Sequence, residues 1–340
     1  MDTKSKKISE FIIKNIESHS ADLVSFIAEN FNISRQRALV YINREVDNER
    51  IVKIGKTSSV RYFLVGGNHI EFSLKITPTL AEDSVWSKYV RSMVLRYSGN
   101  IQSICNYGFT EIFNNAIDHS SGSTIFTDII IDKKNITITI MDNGIGIFKK
   151  IQNALNLEFI KESLLHLSKG KFTTDPSNHT GEGIFFTSRV FDSFSILSSD
   201  LFYTFSNKEW FISSEKEENI GKGTLIKMTL SLESKRTVKE IMDQYADQEI
   251  GFQKTIVAVA LSSNPKDPHV SRSQAKRLLM GLEKFRIIVL DFKGIGLVGQ
   301  AFVDEIFRVF QNEHPNIIIE YINTNQEVEL MIKRGVATER

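Results

Sequence analysis

Apolar residues recur at helical spacing from the start of the chain. In ISEFIIKNIESHS, Ile8, Phe11, Ile12 and Ile16 fall on one face of a 3.6-residue period. ADLVSFIAENF predicts a second short helix. NISRQRALVYINREVDNERI predicts a third, with Ser34 as its N-cap and Ala38, Leu39, Ile42 and Val46 as its buried face. The period then shortens to two. IVKI and RYFLV read as short strands joined by the polar GKTSSV, the GG pair at 66–67 marks a boundary, and a strand and a helix entry follow it. STIFTDIIIDKKNITITIMDNG predicts two strands turned at 132–135, and FSILSS, LFYTFS, EWFISS and GTLIKMTLSL predict four more. Near the end, RIIVLDF, AFVDEIFRVFQNE and NIIIEYI read strand, helix, strand, a small α/β unit. The whole predicts an α/β (α+β) multidomain chain with segments at 1–67, 70–233 and 240–340.

Composition narrows this without redirecting it. A chain of 340 residues exceeds one ordinary core, and 41% apolar with 24% charged and 5 prolines leaves no disordered half. The net charge of +1 says nothing about partners, because a basic patch can be cancelled by an acidic one elsewhere, so charge has to be read locally. The single cysteine, Cys105, excludes an internal disulfide framework and any cysteine-based zinc site. The polar MDTKSKKISE is no signal peptide, and no apolar run approaches the roughly 18 residues of a membrane span. The expectation is a cytoplasmic protein with no membrane partner.

EIFNNAIDHS is unusual for a helix, because asparagine is a mediocre helix former. On a helix, Glu111, Asn115 and Asp118 or His119 share a face, while Ile112 with Ala116 and Phe113 with Ile117 stack on the core-facing flank. A carboxylate one turn from an amide oxygen suits orienting a water beside a hard, oxygen-seeking ion such as Mg²⁺. Taken alone, the spacing is also that of a solvated helix face. Three further blocks follow in order. MDNGIGI ends a strand with Asp142 beside Gly144 and Gly146. SNHTGEGIFFTSRVF places Thr180, Gly181 and Gly183 before a helical run, where free N–H groups favour phosphate. GKGTLIKM sets Gly223 and Thr224 at a strand start.

These four ordered blocks, over about 80–232, resemble the N, G1, G2 and G3 boxes of the GHKL ATPase superfamily: gyrase B, Hsp90, sensor histidine kinases, MutL and the anti-sigma-factor serine kinases. The resemblance implies a Bergerat-type α/β sandwich holding ATP and Mg²⁺. It implies Glu111 as the acid that activates the attacking water and Asn115 as the Mg²⁺ ligand, with Asp118 further along the same face and Asn114 at a variable position. It implies Asp142 on the adenine amine, Gly144 and Gly146 shaping the pocket, Thr180, Gly181 and Gly183 around the phosphates, and Thr224 near the adenine. KGKFTTDPSNHTGEGIFF then reads as the ATP lid, with Lys169, Lys171 and His179 in reach of the phosphates or as plain loop polarity. The phosphoacceptor histidine of histidine kinases has no counterpart in His119 or His166, because a different kind of domain occupies its usual place upstream.

Helix, helix, helix, hairpin resembles the winged helix-turn-helix, which implies DNA read by Arg35, Gln36, Arg37 and Arg44, with Lys53, Lys56 and Arg61 on phosphates. Acidic Glu45, Asp47 and Glu49 dilute that charge, and a helical bundle that docks on a protein is the alternative. The end of the chain, about 250–335, resembles the STAS-like domain found after some GHKL domains, which implies a protein partner. Where phosphorylatable STAS domains carry a serine, this chain reads Val298, Gly299, Gln300, Ala301. Ser271 and Ser273 read as helix caps, with phosphoacceptors as the alternative, and the adjacent Asp304 and Glu305 as one exposed acid and one contact. Together these features predict an ATP-hydrolysing regulator, by default a homodimer. The alternatives are a serine/threonine kinase of the anti-sigma-factor type acting on a partner protein, and a nucleotide-binding scaffold.

Overall fold

The computed structural model describes residues 3–55, 60–173, 180–206, 209–213, 221–247, 251–262 and 269–337. The chain forms two compact units: Met1–Gly144 with Phe191–Phe194 and Gly223–Lys235, and Ile145–Val190 with Ser195–Lys222 and Arg236–Arg340.

The first unit opens with α1 (Thr3–Asn15), α2 (Leu23–Asn30), α3 (Arg35–Asp47) and the antiparallel hairpin of β1 (Ile51–Ile54) and β2 (Arg61–Leu64). Ile8, Ile12, Ile16, Leu23, Ile27, Ala38, Ile42, Ile51 and Tyr62 make one core, so the periodic positions do fold inward. Leu39 and Val46 are only half-buried. Ser34 caps α3 by accepting the Arg37 N–H. Glu45 does not dilute surface charge as its sequence neighbourhood suggested. It is buried, accepting from Ser9 Oγ at 2.7 Å and pairing with Arg50 at 2.9 Å.

Next come β3 (His69–Lys75), α4 (Glu82–Val85), a π-helical turn at Trp86–Val90, α5 (Arg91–Val94) and α6 (Gly99–His119), then β4 (Thr124–Ile131) and β5 (Asn135–Asp142). Asp132 closes the turn between β4 and β5 by accepting the N–H groups of Lys134 and Asn135. The chain returns to this unit through the start of β6 (Ser193–Ser198) and, after β7 (Leu201–Ser206) and β8 (Glu209–Ser213), through β9 (Thr224–Ser231). β3, β4, β5 and β9 are consecutive antiparallel neighbours. Their alternation buries Ile125, Ile129, Ile136, Ile138, Ile140 and Met228, and α6 lies against β4, β5 and β9. Where β3 meets β4, His69, Glu71 and Asp128 gather with their ligand atoms within 4.8 Å. Their charges are already matched: His69 pairs with Asp128 at 2.8 Å, and Glu71 accepts from Arg61 of the hairpin at 3.0 Å. The Asp128 carboxylate holds the His69 pKa above its ordinary value.

The second unit holds α7 (Ile147–Leu155), α8 (Glu162–Lys169), α9 (Gly183–Val190), most of β6, and the antiparallel pair of β7 and β8. It continues through α10 (Val238–Asp243), the short pair β10 (Ala246–Asp247) and β11 (Gly251–Phe252), and β12 (Lys254–Ala258). α11 (Arg272–Leu279), β13 (Ile287–Asp291), α12 (Gln300–Asp304), a π-helical stretch, α13 (Gln311–Glu313), β14 (Ile318–Ile322) and α14 (Gln326–Ala337) complete it. β12, β13 and β14 form a parallel sheet with β13 central. The expected strand, helix, strand run is β13, α12–α13 and β14; β12 has no counterpart in the sequence reading. Among the described residues no helix is long and apolar enough to cross a membrane.

Candidate functional site

In the first unit the site is built from α6 and two strand ends. Ile101, Ile104, Cys105, Gly108, Phe109, Ile112, Phe113 and Ala116 form the buried stripe of α6. Glu111, Asn115 and Asp118 follow one another at i, i+4 and i+7 beside that stripe, the first two half-buried and Asp118 exposed. Asn114 is half-buried as well.

Asp142 ends β5 and stands directly opposite Thr224, the first residue of β9. Both side chains are buried, each 7% exposed. The Gly144 N–H donates to Asp142 Oδ1 at 2.8 Å. Burial pushes the Asp142 pKa up, while hydrogen bonds from Gly144 and Thr224 pull the other way. Two glycines make this packing possible. A Cβ on Gly144 would stand 1.9 Å from the Ser120 carbonyl oxygen. One on Gly223, at φ +102°, would stand 1.9 Å from the Asp142 carbonyl oxygen. Asn143 was not singled out from the sequence, yet its Oδ1 accepts the N–H groups of Ser123 (2.8 Å) and Thr124 (3.0 Å), tying the loop after β5 to the start of β4.

The second unit carries Gly146, Thr180, Gly181 and Gly183. Gly146 is buried at φ 89° and caps α7. Thr180 is exposed. Gly181, at φ +73°, lies so close to Phe172 that a Cβ would meet its backbone at 2.5 Å, and Gly183 begins α9. Lys169 and Lys171 are not poised for phosphates: Lys169 Nζ donates to the carbonyls of Arg277 and Met280, and Lys171 Nζ to that of Lys284. His179 and residues 174–179 lie outside the described residues, as does Lys56 of the hairpin. His166 is buried, and burial pulls its pKa down to about 3, so it stays neutral.

Residues 106–234 match the family model described as histidine kinase-, DNA gyrase B-, and HSP90-like ATPase. Residues 274–329 match a model described as a STAS-like domain of unknown function (DUF4325). The chain carries a GHKL ATPase domain followed by a STAS-like domain. No curated protein matches the chain. The ATPase match implies nucleotide binding, and the residues fit the group. A buried carboxylate at a strand end suits an exocyclic amine, and the carboxylate and carboxamide oxygens of α6 are the hard donors that Mg²⁺ takes.

In the STAS-like domain, Gly299 caps α12, and a Cβ there would meet Val270 at 2.7 Å; the stretch from Val298 to Ala301 offers no hydroxyl. Ser271 caps α11 in a reciprocal box with Gln274. Asp304 binds Arg272 and Arg308, while Glu305 is buried and faces Lys276 at 3.7 Å. In the head, Arg35, Gln36 and Arg37 are exposed, Arg37 lies over the Tyr41 ring at 5.3 Å, and Arg44 donates to Ser5 of α1 at 3.1 Å.

Proposed function

We propose that the chain is a Mg²⁺-dependent ATP-hydrolysing regulator. The observation that carries this reading is the buried Asp142 carboxylate, held by Gly144 and paired with Thr224, in a stretch that matches the ATPase family. Asp142 and Thr224 hold the adenine and Gly144 and Gly146 shape its pocket. Asn115 would ligate the metal, Asp118 would face the nucleotide from the same side of α6, and Thr180, Gly181 and Gly183 would line the phosphates. Glu111 acts as general base, taking a proton from the attacking water or from a partner's hydroxyl. Incubating the protein with Mg²⁺ and γ-labelled ATP separates these outcomes. Release of labelled phosphate, falling about 100-fold or more in Glu111→Ala with nucleotide still bound, is the expected result. Label carried on an added protein would make it a serine/threonine kinase, and ATP bound but unreacted in both forms would make it a scaffold.

The head supports a finer reading, in which α3 contacts DNA through Arg35, Gln36 and Arg37 at its exposed N-terminal end. Arg44 is partly committed to Ser5 and contributes less. Arg35→Ala with Arg37→Ala is expected to weaken duplex binding at least tenfold and to flatten its salt dependence by about two counterions. Unchanged affinity in a mobility-shift titration would leave the head as a protein contact. In the same reading the STAS-like domain receives a protein partner and the working form is a homodimer.

A further inference from the structure

The second unit contains an interface that nucleotide chemistry does not require. Lys169 ends α8 at 2% exposure, and its Nζ donates to the carbonyl oxygens of Met280 (2.8 Å) and Arg277 (3.3 Å). These belong to the C-terminal end of α11, where carbonyls lack intrahelical partners and the helix dipole is negative. The bond is returned from the tail: Thr255 of β12 donates to the Lys169 carbonyl at 2.7 Å. One residue on, Gly170 takes φ +81°, and a Cβ there would stand 2.9 Å from the rings of Phe185 and Phe252. Lys171 then donates to the Lys284 carbonyl at 3.0 Å, with its ammonium 4.8 Å from the Phe285 ring centre.

The far side of the glycine-rich segment is fastened to the same place. From Gly183, α9 carries Phe185 and Phe186 to Phe252, with ring centres 4.6 and 4.8 Å apart. Arg189, also buried, stacks on Phe185 at 3.4 Å and lies 5.4 Å from Tyr245. Burial pulls the Lys169 pKa down to about 7 and lowers that of Arg189, so the tail holds both groups where water would hold their charges better. Apolar side chains of similar volume would fill such positions at less cost. What the polar contacts add is direction: they fix one register of α8 against the tail.

We propose that the fastening of α8 and α9 to the STAS-like tail through Lys169, Thr255 and Phe252 makes nucleotide binding at Gly181 and Gly183, and the conformation of the tail, a single coupled equilibrium. The inference rests on the nucleotide reading above. By linkage, whatever binds the tail changes nucleotide affinity by the same factor that nucleotide changes tail binding. Lys169 is a positioning residue in this scheme and touches no phosphate.

The test is hydrogen exchange on the full chain, with and without Mg²⁺ and the β,γ-imido analogue of ATP, in wild type, Lys169→Met and Thr255→Val. Analogue affinity is measured separately by titration calorimetry. Wild type is expected to bind the analogue and to change exchange over 280–287 at least fivefold. Both variants are expected to bind it while losing that tail response. Binding by wild type with no change over 280–287, or a full response in the variants, overturns the coupling and leaves the nucleotide reading standing. No binding by wild type overturns both. Should Lys169→Met fail to fold, Thr255→Val decides, since it removes only the hydroxyl at constant volume.

Discussion

Replacing Asp142 by asparagine is expected to weaken ATP binding about 100-fold while leaving the fold intact. The carboxylate accepts the Gly144 N–H at 2.8 Å and hydrogen bonds from Thr224, and keeps lone pairs for a further donor. Asparagine keeps one acceptor oxygen for Gly144 and Thr224 and turns its NH₂ toward the adenine amine, leaving that donor unpaired in the complex. That costs about 1–3 kcal/mol, and its upper end is a hundredfold in affinity. Stability moves the other way or not at all, because burial already disfavours the charged form and the amide relieves that desolvation. Calorimetric titration with Mg²⁺–ATP, run beside a thermal melt, reads both. A dissociation constant within threefold of wild type would remove Asp142 from the nucleotide site.

Gly144→Ala and Gly223→Ala are expected to destabilise the protein by about 3 kcal/mol or more each and to abolish nucleotide binding. In both, the new Cβ would stand 1.9 Å from a backbone carbonyl oxygen, of Ser120 and Asp142 respectively, so backbone must shift by more than an ångström. Gly223 adds the strain of φ +102°. Neither neighbour is a flexible side-chain tip able to swing away. Ser120 is further held by its Oγ, which donates to the Ala116 carbonyl at 2.6 Å and accepts the Gly122 N–H at 2.9 Å. Gly221→Ala is the control, since it combines φ +72° with open space and is expected to lose only about 1 kcal/mol. Denaturant melts of the three variants compare them directly. Equal losses at Gly144 and Gly221 would show that close packing plays no part.

The sequence was most legible where chemistry and periodicity repeat locally. Alternation in STIFTDIIID and NITITIMD specifies β4 and β5, because a strand with one buried face must alternate, and the aspartate at 132 closes its own turn. The ordered blocks from EIFNNAIDHS to GKGTLIKM were enough to read an ATPase of the GHKL kind, and RIIVLDF with its helix and following strand enough to read a STAS-like domain. The two asparagines of α6 stop being a puzzle once eight apolar residues of the same helix are seen to bury a continuous stripe. Packing holds the helix, and its other face can carry poor helix formers.

What the sequence did not show depends on contacts between residues far apart in the chain. Lys169 in KGKF looks like any solvated loop lysine. Only the fold brings the end of α11, more than a hundred residues later, around its ammonium. β12 escaped because five residues of a parallel strand carry little pattern without β13 beside them. Glu45 looked like surface charge until Ser9 and Arg50 closed over it. The sequence by itself determined the type of the elements with a clear local period, the order of the motifs and the two families, because periodicity, caps and glycine placement act over a few residues. Only the tertiary structure decided which polar groups are buried and what they hold, because desolvation and hydrogen bonding over long separations exist only once the chain has folded.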